Sequence, residues 1–102
     1  MFLGARMEYV TLEEHRKHID RIDKTIVALL SERMRLGLAV GHLKREHRWP
    51  TRSAEREAEV LAQVRHAVAG PLSPLSAERI FALIIEETSA VQEGQRDDDP
   101  AR

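Results

Sequence analysis

The feature that most constrains this chain is a series of apolar residues on heptad spacing: Leu12, Ile19, Ile22, Ile26, Leu29, Leu36, Val40 and Leu43. Steps of three, four and seven keep these residues on one stripe of an α-helix and aim the stripe at another helix. No proline occurs before Pro50, so the periodicity predicts one unbroken helix from Leu12 to about Glu46, with Gly37 and Gly41 tolerated inside it. Thr11-Leu12-Glu13-Glu14 fits a capping box, with Thr11 as N-cap and Glu14 reaching back. Arg48-Trp49-Pro50-Thr51 predicts the end. At ~1.5 Å per residue such a helix is about 50 Å long, whereas a compact monomer of about 100 residues has a radius of gyration near 13 Å. A second chain is expected to cover part of the seam, giving a helical homo-oligomer, most simply a dimer.

Two shorter helices follow. Ser53 is the expected N-cap of the second, with Glu55 and Glu57 in the dipole-favoured first turn and Val60, Leu61, Val64 and Val68 as its apolar face. Gly70-Pro71 breaks it. Ser73-Pro74 reads as N-cap and first residue of the third, where the missing proline N–H is harmless. Its inner stripe is Ile80, Phe81, Ile84, Ile85 and Val91. The fold expected is all-α: one long helix and two shorter ones in an intertwined homodimeric bundle. Residues 1–10 are expected to form a flexible N-terminal segment, 11–94 the folded domain, and 95–102, which hold no apolar residue larger than Ala, a disordered tail.

Composition narrows the function. The 102 residues are 42% hydrophobic, too apolar for a disordered chain, and hold 16 Lys and Arg against 17 Asp and Glu. A net charge of −1 argues against a general nucleic-acid binder. There is no cysteine, so disulfides, thiolate metal sites and cysteine nucleophiles are excluded. The apolar run Ile80–Ile85 is far short of the ~20 residues that span a bilayer, and Met1–Arg6 is too short for a signal peptide. A cytoplasmic, membrane-free protein is expected. His15 and His18 stand one turn apart without a third ligand, so neither a metal nor another cofactor is expected.

The polar residues within the apolar stripes carry the functional signal. Counting on from Leu29 lands on Arg33, a residue type seldom buried unless paired. Lys44 lies eleven residues on, close to three full turns, and so projects from nearly the same face. The third helix continues its stripe through Thr88 and Gln92, and the second sets Arg56 and Glu57 before its own. Any one of these could be a rim residue whose stem lies on apolar surface. Together they form an inward-directed set with an excess of cations, suited to a small polyanion because guanidinium forks match carboxylates. Arg16 lies about 25 Å from Arg33 along the axis and roughly 100° around it. Either it is a solvated surface residue or it serves a second site, most simply one in a partner chain.

Arg16-Lys-His-Ile-Asp-Arg-Ile-Asp, Leu29-Leu-Ser-Glu-Arg-Met-Arg-Leu, Val40-Gly-His-Leu-Lys44, Arg56-Glu57 and Phe81-Ala-Leu-Ile-Ile-Glu-Glu-Thr-Ser-Ala-Val-Gln92 together resemble the all-helical class of chorismate mutases, in order and spacing. The resemblance covers about Leu12 to Gln92. It implies an intertwined dimer with two equivalent sites and the rearrangement of chorismate to prephenate in aromatic amino acid biosynthesis. It further implies that Arg33 and, across the dimer, Arg16 hold the substrate carboxylates, supported by Arg56 and Thr88. Lys44 and Gln92 would bond the ether oxygen of the breaking C–O bond, and Glu57 the ring hydroxyl. Ser53 stands where many relatives have aspartate, a position that contacts the hydroxyl mainly through its backbone. Thr88 stands where serine is usual.

Other readings stay open. An isochorismate pyruvate-lyase or a 4-amino-4-deoxychorismate mutase would use a similar site, although relatives with those substrates tend to be apolar at the position of Glu57. A regulatory or nucleic-acid-binding module would draw on Lys44, Arg45, His47, Arg48 and Arg52 beside Trp49, which also read as a solvated helix end favoured by the dipole. A purely structural coiled coil would tolerate Leu at Arg33 and Gln92. A non-covalent pathway-enzyme partner is compatible with all of the enzymatic readings.

Overall fold

The computed structural model describes the backbone of residues 2–97 and the side chains of residues 11–94. Three helices account for most of it: α1 (Phe2–His47), α2 (Ala54–Ala67) and α3 (Pro74–Asp97), with no strand among the described residues. None of these helices is long and apolar enough to cross a membrane.

Two predicted boundaries move. α1 begins at Phe2 rather than after Thr11, because residues 2–10 contain no proline and only one glycine. The capping-box pair Thr11 and Glu14 therefore lies inside the helix, and Thr11 O instead faces the ring nitrogen Nδ1 of His15 at 2.7 Å. α3 passes through Gly94 to Asp97, since an isolated helical glycine costs only about 1 kcal/mol. The expected N-terminal segment is described only as helical backbone, and residues 98–102 of the expected tail lie outside the described residues.

The other ends form as their sequences predict. Ser53 has extended backbone (φ −129°, ψ 110°), and its Oγ accepts from Arg56 N at 3.1 Å. Ser73 Oγ accepts from Ser76 N at 3.0 Å in the same way. Beyond His47, Arg48 adopts a left-handed φ of 58°. Trp49 N then donates to Lys44 O at 2.8 Å and Arg48 N to Arg45 O at 3.2 Å. These two bonds make a Schellman closure, with arginine where glycine is usual.

The chain divides into two units, residues 1–33 and 34–102. In the first, Leu12, Ile19, Ile22, Ile26 and Leu29 are all exposed along α1. In the second, residues 34–47 of α1 join α2 and α3. Here the less exposed face of α1 is Met34, Gly37, Leu38, Gly41, Lys44 and Arg45, while the seam residues Leu36, Val40 and Leu43 stay exposed. The two glycines explain this choice of face. A Cβ on Gly37 would come within 2.8 Å of Thr88 Cγ2, and one on Gly41 within 3.2 Å of Gln92 Cγ. At Gly37 only a side chain of hydrogen lets α3 approach so closely, so this glycine is a packing requirement, while a methyl at Gly41 would need Gln92 to give by a few tenths of an ångström.

α2 lies against α3. Val60, Leu61, Val64 and Val68 are half-buried, and Arg65 reaches Glu78 at 3.7 Å. On α3, Phe81, Ile84, Ile85 and Val91 are half-buried as predicted, but Ile80 is 48% exposed and Ala77 takes the most buried apolar position. The next two members of the stripe are Thr88, half-buried, and Gln92, only 7% exposed.

Candidate active site

Gln92 is where the polar stripe meets the glycine face. Its Nε2 donates to Gly37 O at 2.7 Å, an acceptor within the helical backbone of α1. The bond fixes which end of the amide is which, because a carbonyl can face only the NH2 group. One N–H is used and the second is left to point elsewhere. One turn earlier, Thr88 Oγ1 donates to Ile84 O at 2.7 Å, which turns its methyl toward Gly37.

Lys44 is held in a comparable way. Its Nζ donates to Thr51 O at 2.7 Å, so the chain leaving α1 doubles back to anchor the ammonium. An ammonium has three donors, and two stay available. Lys44 and Gln92 line one pocket of about 240 Å³ together with Gly41, Arg45, Arg48, Trp49 and Thr51. Three of these seven residues are cations and none is an acid, so the pocket is locally positive although the chain carries −1. Trp49 stacks on His47, with ring centroids 4.4 Å apart and planes 16° from parallel.

Glu57 faces the same electrostatic neighbourhood from α2. The hydrogen-bonded Arg52 guanidinium holds its carboxyl below the usual carboxylate range, against opposing desolvation, and the Lys44 charge adds a smaller pull in the same direction. Glu57 is therefore an anion at neutral pH and an acceptor only.

The remaining candidates are not among the residues that line this pocket. Ser53 is occupied as the α2 cap. Arg56 is exposed, and its guanidinium pairs with Glu59 one turn along the same helix. Arg33 is half-buried and Arg16 exposed, both within the first unit. The structure thus brings Lys44 and Gln92 to one pocket, with Glu57 in reach of the Lys44 charge.

Sequence reasoning does not find the Thr51 carbonyl, since a main-chain acceptor carries no residue signature. Nor does it assign Arg52, whose partner lies five residues on across a helix start. The glycine pair was legible in principle. Two glycines four apart on one helix face signal a close approach.

The family model described as chorismate mutase type II matches residues 15–93. A bifunctional chorismate mutase/prephenate dehydratase of Aquifex aeolicus is 42% identical over 53 residues, which are 52% of this chain and 15% of that protein. One from Neisseria gonorrhoeae is 37% identical over 78 residues, 76% of this chain and 21% of that protein. The chain therefore spans about a fifth or less of the length of these curated relatives. Among solved structures, a chorismate mutase (form II) from Thermus thermophilus superposes with a TM-score of 0.81 at 32% identity, covering 83% of this chain and 97% of that one. A conserved hypothetical protein from Pyrococcus furiosus gives 0.69 at 34% identity, covering 81% and 96%.

Proposed function

The chain belongs to the type II chorismate mutase family, and we propose that it catalyses the pericyclic rearrangement of chorismate to prephenate. The observation that carries this reading is the Lys44–Gln92 pocket. Both side chains are tied to main-chain carbonyls, at 2.7 Å each, and both keep N–H groups in reserve. The rearrangement needs no nucleophile and no obligatory proton transfer. It needs the enolpyruvyl side chain held over the ring, and donors for the negative charge that grows on the ether oxygen as the C–O bond breaks. Donors that are already oriented supply that stabilisation without reorganising during the reaction.

In this reading Lys44 and Gln92 bond the ether oxygen and Glu57 accepts from the ring hydroxyl. Arg33 holds a carboxylate, supported by Arg56, Thr88 and the backbone at Ser53. Arg56 leaves Glu59 to do so, a change of rotamer on an exposed side chain. Arg16 enters the site of a second copy. Residues 11–94 form the functional domain, which works in the cytoplasm. A homodimer is supported by the seam of α1. Leu12, Ile19, Ile22, Ile26, Leu29, Leu36, Val40 and Leu43 are all exposed in the single chain, and an isolated helix gains little stability without an apolar face to bury.

The acid at position 57 favours chorismate, because relatives that act on isochorismate or on the 4-amino analogue tend to be apolar there. The deciding experiment follows loss of chorismate absorbance by the purified protein and identifies prephenate as product, with isochorismate and 4-amino-4-deoxychorismate offered in parallel. A rate equal to the uncatalysed rearrangement refutes the assignment. Sedimentation at micromolar concentration tests the dimer, and a stable monomer refutes it.

A further inference from the structure

Arg52 has no part in the reading above, yet it pairs with carboxylates on two helices. It sits immediately before the α2 cap. Its Nε donates to Glu57 Oε2 at 2.7 Å and its Nη2 to Glu57 Oε1 at 2.9 Å. This is a two-pronged pairing that sets the plane of the carboxylate as well as its position. Its Nη1 donates to Glu86 Oε2 on α3 at 3.2 Å. The guanidinium is therefore fixed between two helices, with each terminal nitrogen and Nε engaged. Isolated exposed ion pairs contribute little, but a bidentate pair within a three-member network is the exception.

Glu57 needs this help. Its side chain is long, rotatable and 27% exposed, so without a partner it would sample several rotamers. A carboxylate offers about four lone-pair sites; Arg52 occupies two and leaves two for a hydroxyl. We propose that Arg52 is a positioning residue, which holds the Glu57 carboxylate in the one orientation from which it accepts the ring hydroxyl of the substrate. Glu86 in turn orients Arg52. The inference rests on the reading of Glu57 as the hydroxyl acceptor. Arg52 itself does not touch substrate. Lysine cannot replace it fully, because an ammonium is a point charge without the planar fork.

The test compares Arg52→Gln, Arg52→Lys, Glu86→Gln, Glu57→Gln and Glu57→Ala, and the double variant Arg52→Gln/Glu57→Gln, with chorismate as substrate. Steady-state kinetics are measured across pH, and the Glu57 carboxyl is titrated by NMR. Arg52→Gln is expected to lower kcat/KM roughly tenfold or more, the scale on which misplacement of a positioning group is felt. The acid limb of its profile and the Glu57 titration should both move to higher pH. Arg52→Lys recovers part of the loss, Glu86→Gln shows a smaller one, and the double variant is no slower than Glu57→Gln alone. A tether between helices without a positioning role predicts the opposite. Its loss would persist undiminished in the Glu57→Gln background, and that result overturns the proposal. Should Arg52→Gln fail to fold, Arg52→Lys and Glu86→Gln carry the same comparison. If Glu57→Ala, which leaves no acceptor at this position, retains full kcat/KM, the acceptor reading itself fails and takes the inference with it. If Glu57→Ala is slow while the Arg52 variants match the wild type, the inference alone fails.

Discussion

Replacing Gly37 by alanine tests the packing that brings Gln92 to its place. The added Cβ would stand 2.8 Å from Thr88 Cγ2, where carbon–carbon contacts are comfortable at about 3.5–4.0 Å. The methyl cannot simply rotate away, because Thr88 Oγ1 is committed to Ile84 O at 2.7 Å. Overpacking of this kind costs about 1–3 kcal/mol, while alanine is favoured over glycine in a helix by about 0.8–1 kcal/mol. The net effect of Gly37→Ala is a loss of between about 0 and 2 kcal/mol. In a Thr88→Ser background the hydroxyl stays and the offending methyl is gone. There the same substitution should stabilise, by about 1 kcal/mol. The two effects should differ by about 1–3 kcal/mol, which a double-mutant cycle of urea unfolding resolves. One fixed chain concentration is needed, since the stability of an oligomer depends on it. If Gly37→Ala has the same effect in both backgrounds within about 0.5 kcal/mol, the close approach of α1 and α3 at this point is refuted.

Four further outcomes are expected. Lys44→Ala should lower kcat/KM by roughly 10²-fold or more, the scale for removing one donor to a developing oxyanion, and near wild-type kcat/KM would remove Lys44 from that role. Gln92→Glu should be slow at neutral pH and gain activity as pH falls: the ionised carboxylate is repelled by Gly37 O, 2.7 Å from the present amide nitrogen, whereas the protonated acid can donate. A pH-independent Gln92→Glu profile would contradict this. Arg48→Gly should stabilise the fold by about 1 kcal/mol, since φ of 58° strains any residue with a Cβ, and equal or lower urea midpoints would count against the Schellman closure. The Glu57 pKa is depressed below its ordinary 4.5; its contribution to stability is therefore complete above that value and lost as pH falls through the lower, folded-state pKa. Glu57→Gln should flatten the acid side of the stability profile, as urea midpoints across that range will show.

Much of this architecture is legible in the sequence, and the limits of that legibility are physical. Ser53 and Ser73 mark helix starts because a hydroxyl there accepts the otherwise orphaned N–H of the first turn. Thr11 carries the same signal but does not stop the helix. A cap stabilises a start without forbidding continuation, and residues 2–10 lack a breaker. The polar stripe Thr88–Gln92 is visible from its spacing alone. Its partners are not, because Gly37 O and Thr51 O are main-chain groups whose position depends on how the helices meet. Ile80 reads as an inner residue from periodicity, yet the closest packing belongs to Ala77, since a small side chain permits a nearer approach. The Arg56–Glu59 pair sits at helical i,i+3 spacing and is legible, whereas the pairing of Arg52 with Glu57 and Glu86 depends on how the chain enters α2 and packs on α3.

The stretch of α1 from Met34 to His47 carries two faces, one of glycines and Lys44 turned to its own chain, the other of exposed Leu36, Val40 and Leu43. Their angular phase is set by a common helical screw. A single inserted residue would advance everything after it by about 100° at 3.6 residues per turn, swinging Lys44 off the pocket and the seam off its line together. A seven-residue insertion would restore the angle to within ~20° but carry Lys44 about 10 Å along the axis at ~1.5 Å per residue, away from Thr51 O and out of the pocket. Any length change between Met34 and His47 therefore breaks either the phase or the axial register, and homologous chains should show no gaps within this stretch of α1.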